Sequence, residues 1–340
     1  MKKLNFIIKC GLALLLLSFY SCESWLNVTP SDRLSEEMLF NDREGFVKAL
    51  NGVYIELNTN ELYGRNLTAG ALDVMGQYYS VASSSHAFYN YGGLVYTGND
   101  EKALFDNMWQ KCYAVIACCN TIIEKCDERQ DVLPGVYYGL YKGEALALRA
   151  MLHLDMLRLF GPVYDETSKT AECIPYVTNT DAQISPLLSA EVVLESVIGD
   201  LKTALNLLKE SDPVLTDGVR NEGNSIGDNA LNYRQFRLNY YAVKALLVRA
   251  YAWGHDESNA LVTAEEILRE VQVEGAEIFP FVTHAAATDV SKPDRVFSSE
   301  VMFSLYDSYR GTEIQDKLFL PTLDQIYTFT GKRLELGKDY

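Results

Sequence analysis

Apolar positions along most of the chain recur at helical spacing. Met38, Leu39, Phe46, Leu50, Val53, Tyr54 and Leu57 share one side of a helical pattern that Ser35 opens and Asp42 to Gly45 interrupt. Leu62 to Asp100 has no sustained period. Rich in Gly, Ser and Tyr, it predicts a long loop or short strands. Leu104, Phe105, Met108, Trp109, Cys112, Val115, Ile116, Cys119, Ile122, Ile123 and Cys126 then step by three and four, the clearest helix of the sequence. A second runs from Tyr137 to Phe160, apolar on most sides and hence buried, and Gly161-Pro162 stops it.

Ser189 caps a further pattern through Val193, Val197, Leu201, Leu205 and Leu208, which ends before Pro213. Tyr233–Trp253 and Ser258–Val271 form two helices around the turn Gly254 to Glu257. Ala242, Ala245, Ala250, Ala252, Ala260 and Ala264 are expected where these helices approach closely. The element lengths suggest degenerate tetratricopeptide-type hairpins, and Leu104 to Phe160 could make another. From Ala276 the pattern becomes extended, and Glu300 to Leu305 reads as a buried strand. The fold class is therefore mainly α, with helical hairpins, an irregular aromatic segment and a few short strands.

The N-terminus reads as an address. Lys2 and Lys3 precede an apolar run from Gly11 to Tyr20 that is shorter than the about 20 residues a membrane span needs. Cys22, directly after Ser21, favours a bacterial lipoprotein signal over an ordinary secretory one, with residues 1–21 removed and Cys22 acylated. Residues 22–340 are then one domain, beginning with a polar tether to Arg33. Cys112, Cys119 and Cys126 lie about 10 Å apart on one helix face, beyond disulfide reach, and read as small core residues with no metal site.

The charge is −16, from 30 basic and 46 acidic residues, and falls to about −19 without Lys2, Lys3 and Lys9. This disfavours nucleic acid and anionic lipid as partners. No Gly-x-Ser-x-Gly, His-Glu-x-x-His, Walker or Rossmann motif is present, so no catalytic residue and no cofactor is indicated. A carboxylate pair for glycoside hydrolysis stays open, since any of the 46 acids could meet another in space. His153, on the buried helix, reads as a core histidine. The loop Asp217 to Asn229 has the composition of a calcium site but misses the EF-hand positions, and reads as solvated.

The 22 tyrosines stand against 3 tryptophans and 4 histidines. Tyr78, Tyr79, His86, Phe88, Tyr89, Asn90, Tyr91 and Tyr96 crowd one segment among Ser and Gly. Rings on a loop can stack on sugar faces while amides match sugar hydroxyls, so Tyr78, Tyr79, His86, Tyr89, Asn90, Tyr91 and Tyr96 are the candidate ligand residues. About half of these rings are expected in the core.

The chain resembles the SusD/RagB-type outer-membrane lipoproteins of the Bacteroidetes. The resemblance rests on Cys22 with Trp25-Leu26 and Pro30, Phe46 to Tyr54 with Asn51-Gly52-Val53-Tyr54, and Trp109-x-x-x-Tyr113-x-x-Ile116-x-x-x-Asn120. It continues through Gly143-Glu144-Ala145-x-x-x-Arg149-Ala150, Leu159 to Pro162, the Ala-rich pair from Ala242 to Leu268, and Glu300 to Phe303. It implies tetratricopeptide-like hairpins with irregular ligand loops, on a surface lipoprotein anchored in the outer membrane. Such a protein would bind an oligosaccharide or other nutrient without cleaving it and pass it to a SusC-like TonB-dependent transporter. The hairpins would face the transporter and the aromatic loops the ligand. The alternative is a helical scaffold for a peptide or protein partner. The Arg-x-x-Glu and Ala-Glu-Ala pattern expected in the family's C-terminal segment is not found after Arg310.

Overall fold

The computed structural model describes residues 36–78, 81, 84–181, 184–219, 229–273, 277–308, 310–312, 314 and 318. Cys22, Tyr79 and Ser35, most of the 217–229 loop and the chain after 318 lie outside them. Contacts divide the chain into Met1–Asn41 and Asp42–Tyr340. In the first, the described part is the single turn Glu36–Leu39 and its two following residues.

The described part of the second unit is built on six long helices, five of them close to their expected places. Helix α1, Arg43–Leu57, starts where Asp42 caps it, its carboxylate accepting from Gly45 N at 2.9 Å. It buries Phe46, Leu50, Val53, Tyr54 and Leu57. Helix α2, Asn99–Glu128, presents Met108, Cys112, Val115, Ile116, Cys119, Ile122 and Cys126 to the core. All three evenly spaced cysteines are fully buried. Burial pushes the Cys126 thiol up to about 12, which leaves it an unreactive core side chain. Helix α3, Tyr137–Phe160, is buried almost throughout and packs against α1 and α2. Gly161 N closes α3 on Leu157 O at 2.8 Å, and Pro162 follows.

Helix α4, Ala190–Lys209, packs along α3. The two helices approach closely at Gly143, where a Cβ would stand 2.8 Å from Leu208 Cγ. Ser189 occupies the cap position of α4, but its side chain makes no capping bond. The carbonyls of Ala171 and Lys169 accept from Ala190 N and Glu191 N instead. They flank a two-stranded antiparallel ladder, β1 Glu172–Ile174 against β2 Leu188–Ser189.

Helices α5, Tyr240–Trp253, and α6, Glu257–Val271, pack together as a hairpin, with α5 also lying on α4. Ala242 and Ala250 are buried as small contact residues, whereas Ala252 is exposed and takes no part in the crossing. The fold is thus mainly α, with tetratricopeptide-like helical hairpins.

Three local expectations are corrected. The helix expected from Tyr233 begins seven residues later. Tyr233 sits in the left-handed region at φ 52°, Arg234–Phe236 is one 3-10 turn, and Asn239 caps α5 through Tyr241 N and Ala242 N, both at 3.0 Å. The reason is Arg234, which is wholly buried. Its guanidinium donates to both Asp212 carboxylate oxygens at 3.0 Å and to Glu144 Oε1 at 2.6 Å. A continuous helix would not deliver it there. Burial works against its charge, but the two carboxylates outweigh burial and hold Arg234 above its ordinary range.

Secondly, Val301 to Leu305 is not a strand and is only half-buried. It lies along the 235–239 turn through Ser304 N to Gln235 O and Asn239 Nδ2 to Met302 O, so no regular ladder forms. Thirdly, the described part of 62–100 holds no strand. Its regular pieces are the short helices Ala71–Met75 and Tyr89–Gly92 and the first residues of α2.

Candidate functional site

The aromatic segment folds into compact turns that lead into α2. After α1, residues 58–69 wind through bonds such as Gly64 N to Thr59 O and Asn66 N to Asn60 O, both at 3.0 Å. Gly70 follows at φ +86°, a conformation an L side chain rarely adopts, and a Cβ there would crowd Phe88 Cζ at 3.3 Å. The helix Ala71–Met75 packs next to Tyr89–Gly92, and Ala69, Ala71, Val74, Phe88, Tyr91, Ile314 and Leu318 form a small core with Leu104 and Phe105 against it.

The predicted residues divide as chemistry demands. Tyr91 is buried at 3% exposure, and its ring meets Phe88 and Phe105 edge to face at 5.9 and 6.1 Å. Burial, reinforced by Glu101 and Asp100, pushes its phenol up to about 12, so the hydroxyl keeps its proton. His86 is also buried, and its Nδ1 accepts from Phe88 N at 3.0 Å, which makes it a turn-forming residue. Asn90 is exposed, yet its amide donates to Glu101 Oε1 at 2.9 Å and ties the turn to α2. Tyr78, Tyr89 and Tyr96 present rings to solvent at 61%, 42% and 37% exposure, alongside exposed Leu94 and Val95.

The same segment lines a pocket of ≈ 280 Å³. Phe88, Tyr91 and Leu104 give it an apolar floor, while Arg65, Asn66 and Asp100 supply polar groups. Arg65 Nε donates to Asn66 Oδ1 at 3.2 Å, which orients both side chains. Flat apolar walls with a few oriented polar groups suit a small polar ligand that carries an apolar face. Arg65, Asn66 and Asp100 were not singled out by sequence reasoning. No spacing rule marks them, although all three fall within the aperiodic stretch.

A row of rings runs along α2 from exposed Tyr96 through half-buried neighbours. Tyr96 meets Phe105 at 5.5 Å, Phe105 meets Phe160 at 6.2 Å, Phe160 meets Trp109 at 5.1 Å, and Trp109 meets Tyr113 at 4.7 Å. Phe105 and Trp109 read in the sequence as core stripe, because periodicity alone does not separate a buried edge from a half-open one.

The motif residues on α2 and α3 have structural work. Tyr113 OH donates to Pro175 O at 3.0 Å, and Asn120 Nδ2 to Val177 O and Asn179 O, both at 3.1 Å. Arg149 clasps Asp200 through two bonds of 2.7 and 2.8 Å and donates to Asn120 Oδ1. His153 is fully buried and stacked on Tyr176, its Nδ1 donating to Arg149 O at 2.9 Å and its Nε2 accepting from Val177 N at 3.0 Å. Burial lowers its pKa to about 3, so it is neutral at physiological pH. Glu144 accepts from Tyr54 OH at 3.1 Å as well as from Arg234. These residues pin the 175–179 segment and join the helices, and they lie in the core and its connections. Among the described residues no group of three or more His, Cys, Asp or Glu side chains could hold a metal ion.

The described residues thus form a helical-hairpin scaffold with aromatic turns and a pocket on one segment. Residues 24–216, more than half of the chain, match the SusD-like family model described as "Starch-binding associating with outer membrane". The chain belongs to this SusD-like family. It is 27% identical over 202 residues to the SusD-like protein P38 of Formosa agariphila, an alignment covering 54% of this chain and 34% of that one. The SusD-like protein P2 of the same organism is 25% identical over 211 residues, or 62% of this chain and 38% of the relative. The fold is similar to that of a SusD-like carbohydrate binding protein from Bacteroides vulgatus, with a TM-score of 0.52 and 22% identity, covering 68% of this chain and 46% of that one. A SusD homolog from Bacteroides thetaiotaomicron gives a TM-score of 0.52 at 23% identity over 72% of this chain and 43% of the other. The chain thus spans little more than a third of the curated relatives and under half of these solved structures.

Proposed function

We propose that the protein is a cell-surface lipoprotein that binds a neutral oligosaccharide without cleaving it and hands it to a SusC-like TonB-dependent outer-membrane transporter. The observation that carries the binding step is the pocket floored by Phe88 and Tyr91, with Arg65, Asn66 and Asp100 around it, in the same chain segment as the exposed rings of Tyr89 and Tyr96. The floor would take the apolar face of one sugar ring, and the polar groups would meet its hydroxyls. Tyr89 and Tyr96 would stack on neighbouring units. Membership of a family described as starch-binding and outer-membrane-associated supports the same reading.

Tyr89→Ala tests it directly. In affinity electrophoresis through gels containing neutral polysaccharides, wild type should be retarded and the variant's affinity should fall about tenfold, equivalent to about 1.4 kcal/mol. Unchanged retardation would remove Tyr89 from the site, and glycan shortening on prolonged incubation would replace the binding reading with an enzymatic one.

Attachment is proposed to run through acylated Cys22, which follows the basic start and the short apolar run of the N-terminus. Cys22→Ser should move the protein from the detergent phase to the aqueous phase in a phase-partition assay. Persistence of the variant in the detergent phase would sink the anchor.

A further inference from the structure

The α5–α6 hairpin borders a groove of ≈ 690 Å³ that shares no lining residue with the pocket of Phe88 and Tyr91. Its walls are the end of α4 with the short helix Val214–Asp217, the start of α5, and the end of α6 with residues 273–278. Leu215, Tyr240, Tyr241, Val273 and Ile278 make those walls largely apolar. The shape is fixed from the core side. Tyr241 meets Tyr240 and buried Phe279 edge to face at 5.3 and 5.9 Å, and Ile278 N donates to Val271 O at 3.1 Å, which folds the segment after α6 back onto the helix end.

The polar lining is unbalanced. Among the described residues, Asp217, Glu270 and Glu277 line the groove against the one ammonium of Lys209. Buried Lys244 donates to both Glu270 oxygens at 2.9 and 3.0 Å and so fixes that carboxylate in the wall. Each oxygen keeps a second lone pair for a ligand. Lys244 also pairs with Glu266 at 3.2 Å, so its own charge is more than matched. The pocket of Phe88 and Tyr91 sets one cation against one anion, whereas this groove keeps an excess of negative charge.

We propose that the groove binds a basic peptide segment in which lysine or arginine side chains alternate with apolar ones. The apolar side chains would lie against Leu215, Tyr240 and Val273, and the cationic ones would meet the carboxylates. Asp217 stands on one wall and Glu270 and Glu277 on another, an arrangement that suits a chain carrying repeated positive charges. The net charge of −16 draws such a segment in at long range. This site is separate from the proposed glycan site and takes a ligand of different chemistry.

Fluorescence anisotropy with the labelled peptide Lys-Val-Lys-Val-Lys tests the proposal. Wild type should bind it about tenfold more tightly than Ser-Val-Ser-Val-Ser, and substitution of both exposed acids, Asp217→Asn with Glu277→Gln, should lower its affinity about tenfold. Glu124→Gln with Glu128→Gln removes the same charge from α2, which does not line the groove, and should change affinity less than about twofold. An equal loss in the two double variants would reduce the effect to net charge and overturn the site. Equal affinity of wild type for the lysine and serine peptides would overturn it without any variant. Displacement of the peptide by spermidine at concentrations near the peptide's own Kd would assign the groove to small amines instead.

Discussion

His153 illustrates how one side chain fixes a loop and sets a pH dependence. Its imidazole is locked between Arg149 O and Val177 N, a pattern that needs one protonated and one bare nitrogen. The folded pKa is lowered to about 3 from an ordinary 6.5. Between those values the unfolded chain binds a proton that the native state refuses, so stability rises with pH in this window and is lost as pH falls through it. From pH 6.5 to 5 the loss from this residue should be about 2 kcal/mol. Urea unfolding at the two pH values checks it. His153→Gln should be less stable at pH 7 but should lack this part of the slope. An undiminished slope in the variant would assign the acid sensitivity to other groups. The histidine's place in the core was legible from its position in an all-round apolar helix. Its grip on residue 177 was not, because a backbone N–H leaves no trace in side-chain pattern.

At the scale of elements, the α3–α4 contact depends on the absence of a side chain at Gly143. A Cβ there would lie 2.8 Å from Leu208 Cγ and 3.3 Å from Ala204 O, with Leu208 fully buried. Gly143→Ala should therefore cost about 1–3 kcal/mol despite its better helix propensity. Leu208→Ala alone should cost about 2–5 kcal/mol by leaving a cavity. In the double variant the new methyl enters space that Leu208 vacates, so the combined loss should be smaller than the sum by more than 0.5 kcal/mol. Strict additivity in denaturant titrations would show that the helices move apart instead. Helices of this kind were readable where one physical cause decides them: α3 from its apolar run and its Gly161-Pro162 stop, α6 from the turn Gly254 to Glu257. Sequence reasoning failed where a long-range partner decides. The start of α5 is displaced because Arg234 must reach Asp212 and Glu144, and Val301 to Leu305 stays irregular because its neighbour is a turn. The candidate site was half legible for the same reason. An aromatic cluster without period marked a candidate ligand segment, but only folding sorts Tyr91 and His86 into the core, leaves Tyr89 and Tyr96 outside, and brings in Arg65, Asn66 and Asp100.

Over the whole molecule, charge and local chemistry point to the same kind of ligand. The chain carries −16 in total, so a polyanion approaching it is repelled at long range. The charged side chains lining the pocket, Arg65 and Asp100, are of opposite sign and offer no net attraction to an ion of either kind. Binding built on ring stacking and hydrogen bonds to neutral hydroxyls releases few counterions, and added salt beyond the about 8 Å Debye length of physiological buffer has little left to screen. Affinity for a neutral oligosaccharide should therefore change less than about twofold between 50 and 500 mM NaCl, since screening acts on charge and not on stacking. Sulfated or uronic-acid polysaccharides should not retard the protein at either salt concentration. Calorimetry with the neutral oligomer and affinity electrophoresis with the anionic polymers test the two halves. Strong retention on an anionic polymer at 50 mM that vanishes at 500 mM would mean that a cationic surface outweighs the net charge, and that the ligand is acidic.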